Sequence, residues 1–174
     1  MWGDGMKTAK TIAQSAVLVA LALALSYTER FIPLQLVIPL PGIKLGLANI
    51  ATLVALYMLG WQKTLPIVAV RCFLGALFGG LTGILFSLTG GLLALGVMAA
   101  CKKVPVLSIY GVSILGAAAH NIGQILAAMV LMGSVYVWAY LPYLLLVGIV
   151  TGTATGAACA GVLRTLKTVN ISRK

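Results

Sequence analysis

Long apolar runs separated by short polar segments dominate the chain. A helix needs roughly 20 apolar residues to cross a bilayer. Runs of about this length fall near residues 9–28, 45–60, 64–81, 83–101, 105–131 and 139–163. The pattern therefore predicts an all-α integral membrane protein, with about six transmembrane helices bundled into a single transmembrane domain over residues 1–174.

Composition supports this fold class. Of the 174 residues, 61% are hydrophobic and only 8% are charged, a balance that a soluble domain cannot bury in one core. Little sequence is left for loops. We expect a cytoplasmic tail or an appended linker at residues 1–8, an outer loop at 29–44, and a cytoplasmic tail at 164–174.

The positive charges lie mainly on one side of the predicted spans. The formal net charge is +10. Nine of the twelve Lys and Arg residues flank the spans on the same side: Lys7, Lys10, Lys63, Lys102, Lys103, Arg164, Lys167, Arg173 and Lys174. The positive-inside rule then places both termini in the cytoplasm, and we expect a multi-pass protein of a prokaryotic cytoplasmic membrane. Contact with anionic lipid accounts for the excess charge, so nucleic acid is not an expected partner.

The predicted outer loop is unusual because it is both proline-rich and apolar. Its prolines, Pro33, Pro39 and Pro41, prevent one continuous helix. Non-helical backbone at membrane depth persists only where protein or a wet cavity satisfies it. The loop is therefore predicted to pack over the bundle as a cap or a re-entrant segment.

Arg71 is the most unusual residue within a predicted span. It lies about 12 Å beyond Lys63 at the helical rise, and charges at such depth are functional candidates. The chain has two acids, Asp4 in the tail and Glu29 at the outer end of the first span. Three partners are open for Arg71: helix-end carbonyls and side-chain amides, Glu29, or an anionic ligand.

Further polar residues occur in "AAAHNIGQ" and "PGIKLGLAN". His120 and Gln124 share a helix face, with Asn121 about 100° away, and a lone histidine there can equally be a packing residue. Lys44 ends the outer loop and is predicted to bring a cation to the mouth of a cavity, with Asn49 about one turn into the second span. Lys44 can instead snorkel to the outer interface. Our candidate substrate-binding residues are Lys44, Asn49, Arg71, His120, Asn121 and Gln124.

Small residues recur every fourth position in three spans, where they let helix backbones approach closely. Internal packing is the expected role of Gly75, Gly79 and Gly83, and likewise of the stripe Gly148, Gly152, Gly156 and Ala160. The stripe of the first span can alternatively dock a membrane partner. Its residues are Ala16, Ala20 and Ala24.

Several activities are excluded by missing motifs. No G-x-x-x-x-G-K-[ST] loop is present for nucleotide hydrolysis, no acidic pair for metal-assisted diphosphate chemistry, and no His/Cys cluster for a metal. The three cysteines have no metal or redox spacing. We therefore expect a protein that is not an enzyme and has no metal and no cofactor.

The sequence resembles a known membrane family over roughly residues 9–165. The resemblance is carried by "PLPGIKLGLANIATLVALYMLG", "VRCFLGALFGGLTGILFSLTGGLLALGVM", "GVSILGAAAHNIGQILAA" and "YLPYLLLVGIVTGTATG". They are similar to heptaprenyl diphosphate synthase component I, also called Gx transporter proteins. That family is grouped with the substrate-binding S components of energy-coupling factor (ECF) vitamin transporters.

The resemblance implies a six-helix bundle with cytoplasmic termini. It also implies that the first outer loop helps to close a substrate site and that the alanine-striped first helix docks on a coupling membrane subunit served by two ATPases. The synthase label fits poorly, because prenyl diphosphate synthases bind magnesium diphosphate through aspartate-rich motifs and this chain has one aspartate.

Two functions follow as hypotheses. The first is the substrate-binding component of an ECF-like importer, taking up a small anionic, vitamin-like or phosphorylated or carboxylated molecule from outside. The alternative is a non-catalytic membrane accessory of isoprenoid or quinone metabolism, or of a membrane electron-transfer system.

Overall fold

The computed structural model describes residues 2–32 and 44–171, and the regular elements within these ranges are all helical. Five α-helices occur: α1 (Trp2–Thr28), α2 (Asn49–Leu59), α3 (Trp61–Cys101), α4 (Ile109–Met132) and α5 (Leu141–Ile171). Short 3-10 helices span Glu29–Phe31 and Val135–Tyr140. The predicted all-α class is confirmed for this part of the chain. Of the outer loop predicted at residues 29–44 to cap the bundle, residues 33–43 lie outside the described residues.

Helix α3 consists of two helical halves joined at Gly80. The backbone of Gly80 has φ 65° and ψ −171°, outside the helical region, a conformation that glycine adopts without steric cost. The two spans predicted at residues 64–81 and 83–101 correspond to these halves.

Four helical segments are long and apolar enough to cross a membrane within the described residues. They are Thr8–Thr28, Gly80–Cys101, Ile109–Met132 and Val135–Thr168. Helix α2 is apolar but has only 11 residues. Its carboxyl end is tied down by Lys102, whose Nζ donates to the Leu56 carbonyl at 2.8 Å, so one carbonyl left over at the helix end is satisfied.

Two predicted boundaries differ from the structure. Helix α4 begins at Ile109 rather than at 105, because Ser108 caps it by accepting a hydrogen bond from the Gly111 amide. Helix α1 begins at Trp2, so most of the residues expected to form a tail are helical.

The glycine stripe of α5 packs as predicted. A Cβ on Gly152 would lie 2.7 Å from Ile114 Cα, and one on Gly156 would lie 3.1 Å from Tyr110 Cα. These distances leave no room for a side chain, so the stripe allows α5 to pack directly on the backbone of α4.

The packing role predicted for the α3 glycines is not supported by a described contact at Gly75 or Gly83. A Cβ on either residue would meet no described atom within 4 Å. The close approach of α3 to α4 is made instead by Gly90 and Gly123, since a Cβ on Gly123 would lie 2.8 Å from Gly90 Cα. This crossing brings the polar residues of α4 against the second half of α3.

Candidate functional site

Lys44 is directed into the bundle. Its Nζ donates to Ser87 Oγ in the second half of α3 at 2.7 Å, and the residue is half-buried. Snorkelling to the outer interface, the alternative considered for this residue, is therefore wrong. The segment that leads into α2 places a cation inside the protein.

Gln124 joins Lys44 to His120. The Lys44 backbone amide donates to Gln124 Oε1 at 3.2 Å, and Gln124 Nε2 lies 2.9 Å from His120 Nε2. Because a backbone amide can only donate, Oε1 faces Lys44 and the NH₂ group faces the histidine. His120 Nε2 therefore accepts, and the neutral ring carries its proton on Nδ1.

Two glycines leave room for the His120 ring. A Cβ on Gly90 would lie 2.7 Å from His120 Nδ1, and a Cβ on Gly46 would lie 2.9 Å from His120 Cδ2. Gly46 also has φ 83°, which disfavours other residues. The same Gly46 position lies 3.0 Å from Asn49 Nδ2, so Asn49 and His120 flank one turn of backbone.

Arg71 is buried beside this cluster without full hydrogen bonding. Its side chain is 5% exposed, and Nε and Nη2 have no hydrogen-bond partner among the described atoms. Gly91 makes room for it, since a Cβ there would lie 2.7 Å from Nη2. These two nitrogens bond neither to Glu29 nor to helix-end carbonyls and side-chain amides, the two protein partners considered for Arg71.

Lys44 and Arg71 line the same small cavity. Its described walls are Leu23, Ser26, Tyr27, Lys44, Arg71, Gly75 and Ser87. The cavity measures about 10 Å³, enough for about one water molecule. Both partners of the Lys44–Ser87 hydrogen bond are among its described walls, and a larger ligand would need this space to widen.

Glu29 is the acid nearest to the two cations. It is 7% exposed, and the Leu47 amide donates to its Oε1. Burial raises the pKa of Glu29 from 4.5 to about 7, against the Leu47 hydrogen bond and the charges of Lys44 and Arg71, which favour the ionised form. Glu29 therefore sits beside the cations as a carboxyl group that titrates near neutrality.

Asn121 does not join the cluster. Its Nδ2 donates to the Leu144 carbonyl at 2.6 Å, and it packs against Gly148. His120 and Gln124 share a face as predicted and contact each other, whereas Asn121 connects α4 to α5. None of the three is among the described walls of the cavity beside Arg71, so their role in substrate binding stays a prediction.

The three alanines of the α1 stripe do not all line the same surface. Ala16 and Ala20 line a groove between α1 and the first half of α3. Ala24 is exposed closer to the carboxyl end of the helix. Docking of a partner on this stripe remains a prediction.

Sequence reasoning missed Ser87 and did not place Glu29 in the site. A serine in an apolar helix carries little signal, because its hydroxyl can bond to its own helix backbone. Glu29 was recognised only as a possible partner of Arg71. Because Glu29 is one of only two acidic residues in the chain, its presence near a predicted span could have indicated a place in the site.

The site combines hydrogen-bond donors with positive charge. Lys44 and Arg71 are cationic, and Ser87 supplies a hydroxyl group. The described residues contain no group of three or more His, Cys, Asp or Glu side chains that could hold a metal ion. Two cations and a hydroxyl donor beside a single carboxyl, Glu29, suit the binding of an anionic group, most strongly when that carboxyl is neutral.

A family model described as heptaprenyl diphosphate synthase component I matches residues 18–162. The chain belongs to this family. The match includes Glu29, Lys44, Arg71, Ser87 and Gln124, and it confirms the resemblance carried by the sequence blocks. No curated protein and no solved structure shows a significant match to the chain.

Proposed function

We propose that this protein is a non-catalytic membrane component of isoprenoid diphosphate metabolism, and that it holds an anionic group between Lys44 and Arg71. The family description names one component of a heptaprenyl diphosphate synthase, which favours this function over import. It also implies a second component, which would carry the aspartate-rich catalytic motifs that this chain lacks.

The observation that carries the proposal is the hydrogen bonding of Arg71. A buried charge is costly unless it is paired and hydrogen-bonded, yet Nε and Nη2 of this guanidinium have no described partner. Guanidinium groups bind phosphate and carboxylate oxygens through two parallel N–H donors. A phosphoryl oxygen beside Arg71 would satisfy these donors, and Lys44 would supply a second charge after leaving Ser87.

The membrane arrangement is part of the proposal. The two halves of α3, together with α1, α2, α4 and α5, give six segments in the predicted order, and we place both termini in the cytoplasm. Lys102, which follows α3 and bonds to the end of α2, and Lys63 near the start of α3 then lie on the cytoplasmic side. Lys44 and Glu29 then lie toward the outside.

The second candidate function is the substrate-binding component of an ECF-like importer. The position of the cluster favours it, because Lys44 is the last residue of the predicted outer loop and Ser26 and Tyr27 near the carboxyl end of α1 line the cavity. In this function a water-soluble anion enters from outside. A coupling membrane subunit and ATPases supply the energy, with Ala16, Ala20 and Ala24 as the docking face.

Native mass spectrometry of the detergent-purified protein tests both functions, with extraction and identification of any bound small molecule. Arg71→Gln is compared with Arg164→Gln, which changes an exposed arginine at the other end of the chain. A prenyl diphosphate lost only in Arg71→Gln supports the isoprenoid function. A water-soluble vitamin-like anion lost in the same way supports import, and a ligand retained in both variants contradicts the site.

A further inference from the structure

A second cavity lies apart from the cation cluster, in a groove between α1 and the first half of α3. Its volume is about 730 Å³, within the ~300–1,000 Å³ typical of ligand pockets. Most of its walls are apolar or small, including Ile12, Ala16 and Ala20 on α1 and Ile67 and Val70 on α3. Because alanines stand where larger side chains would fill the space, the groove stays open.

The groove has a polar mouth at one end. Thr11, Gln62 and Lys63 line this end, and an adjoining cavity of about 230 Å³ is formed by Thr8, Thr11, Ile12 and Lys63. Lys63 is exposed, and neither cavity has an acidic residue among its described lining residues. A cation with hydroxyl and amide groups at the mouth of an apolar groove matches a molecule with an anionic head and an apolar tail.

The length of the groove indicates what kind of apolar molecule fits. Along α1 the lining extends from Thr11 to Leu23, and along α3 from Gln62 to Leu74. Twelve residues of helix rise about 18 Å, close to the ~15 Å depth of one leaflet in a hydrocarbon core of ~30 Å. A transmembrane helix of a partner would need a surface of the full ~30 Å.

We infer that this groove holds one acyl chain of an anionic phospholipid from the cytoplasmic leaflet, with the lipid phosphate at Lys63. The inference is independent of the ligand proposed for Lys44 and Arg71. Anionic lipid is concentrated in the cytoplasmic leaflet, where positive residues flank the spans. The lipid would fill the groove and attach α1 to the rest of the bundle.

The inference is tested by lipid exchange followed by native mass spectrometry. The purified protein is equilibrated with equal amounts of phosphatidylglycerol and phosphatidylcholine in mixed micelles, and bound lipid is counted. The wild type is expected to retain one phosphatidylglycerol. Lys63→Gln should reduce the preference for phosphatidylglycerol about fivefold, the equivalent of about 1 kcal/mol for one lysine near a charged surface, and Lys103→Gln is the control because this lysine is also exposed.

Variants that fill the groove with larger side chains test whether it holds the acyl chain of the lipid. The double variant Ala16→Leu and Ala20→Leu should lose bound lipid, whereas Ala24→Leu, at an exposed position outside the groove lining, should retain it. Arg71→Gln should also retain the lipid, which separates this site from the proposed anion site. The inference is overturned if the wild type retains no phospholipid, if the double variant retains as much as the wild type, or if a prenyl chain or a protein partner is lost instead.

Discussion

The amine of Lys44 and the hydroxyl of Ser87 are hydrogen-bonded at 2.7 Å, although 43 positions separate them in the sequence. This contact fastens the entry of α2 to the second half of α3, and both residues line the cavity beside Arg71. A ligand anion would compete with Ser87 for the Lys44 amine. The contact with Ser87 and the binding of an anion would therefore use the same charged group.

Replacing Lys44 by Gln tests the role of its charge. The amide of Gln can still reach toward Ser87 but does not attract an anion. Loss of one hydrogen bond to a charged group costs about 1.5–3 kcal/mol, so the affinity for inorganic diphosphate should fall roughly 10- to 150-fold by isothermal titration calorimetry. Lys103→Gln, which changes an exposed lysine away from the cavity, should bind like the wild type; an equal loss in both variants would point to nonspecific charge attraction.

Binding of an anion should depend on pH through Glu29. The pKa of this carboxyl is raised by burial to about 7, so it is largely ionised above that pH and offsets the charges of Lys44 and Arg71. Below that pH it is neutral. The affinity for sulfate, whose charge is constant from pH 5.5 to 8.5, should therefore rise as the pH falls through about 7.

Glu29→Gln is the control for this pH dependence. The variant keeps an oxygen that accepts from the Leu47 amide but cannot ionise, so its sulfate affinity should be nearly constant over the same range.

The raised pKa of Glu29 also affects folding stability, because a carboxyl whose pKa is raised in the folded state destabilises the fold when it is ionised. The stability of the wild type should therefore increase as the pH falls from above 7 toward 4.5. If Glu29→Gln showed the same pH dependence of sulfate affinity and stability as the wild type, Glu29 would be excluded as the titrating group.

Asn121 should affect stability and leave ligand binding unchanged. Its amide donates to the Leu144 carbonyl and so connects α4 to α5. Asn121→Ala removes that hydrogen bond, at a cost of about 1 kcal/mol, which should lower the melting temperature in detergent. Gln124→Leu should instead weaken anion binding, because Lys44 loses the side chain that positions its backbone. Loss of binding in Asn121→Ala at a temperature where the protein remains folded would place Asn121 in the site.

The crossing of α3 and α4 should be intolerant of one added methyl group. A Cβ on Gly123 would lie 2.7 Å from the Thr89 carbonyl oxygen, where backbone must move. Gly123→Ala should destabilise the protein by about 1–3 kcal/mol, measured as a lower melting temperature. Gly96→Ala is the matched control, since a Cβ there meets no described atom within 4 Å and alanine is favoured over glycine in helices by about 1 kcal/mol. Equal melting temperatures for the two variants would show that the crossing is not tightly packed.

Much of the fold was predictable because membrane helices must be apolar over their length. The order of helical segments follows directly from the apolar runs. His120 and Gln124 were predictable too, since their spacing of four residues puts them on one face regardless of what packs there.

The remainder depends on how the helices cross. Asn121 lies next to His120 in the sequence, but the 100° rotation between them turns its side chain toward α5. Ser87 meets Lys44 near the crossing of α3 and α4, where Gln124 of α4 holds the Lys44 backbone. Gly75, where helix packing was predicted, instead lines the cavity beside Arg71. Helix crossings of this kind are not encoded in the hydrophobic pattern of a single segment.

Arg71 can be tested without loss of the fold. Its Nε and Nη2 have no described partner to lose, and replacing a buried unpaired charge by a neutral group removes a desolvation cost. Arg71→Gln should therefore melt at or above the temperature of the wild type. A large fall in melting temperature would show that Arg71 has a structural role.

The most direct test of the central claim is the affinity of inorganic diphosphate for the wild type, Arg71→Gln and Arg164→Gln, measured by calorimetry in one detergent at one salt concentration. We predict binding in the wild type and Arg164→Gln, and an affinity at least about tenfold lower in Arg71→Gln, equivalent to about 1.4 kcal/mol. Equal affinity in the wild type and Arg71→Gln, or no binding in either, would contradict the assignment of an anion site to Lys44 and Arg71.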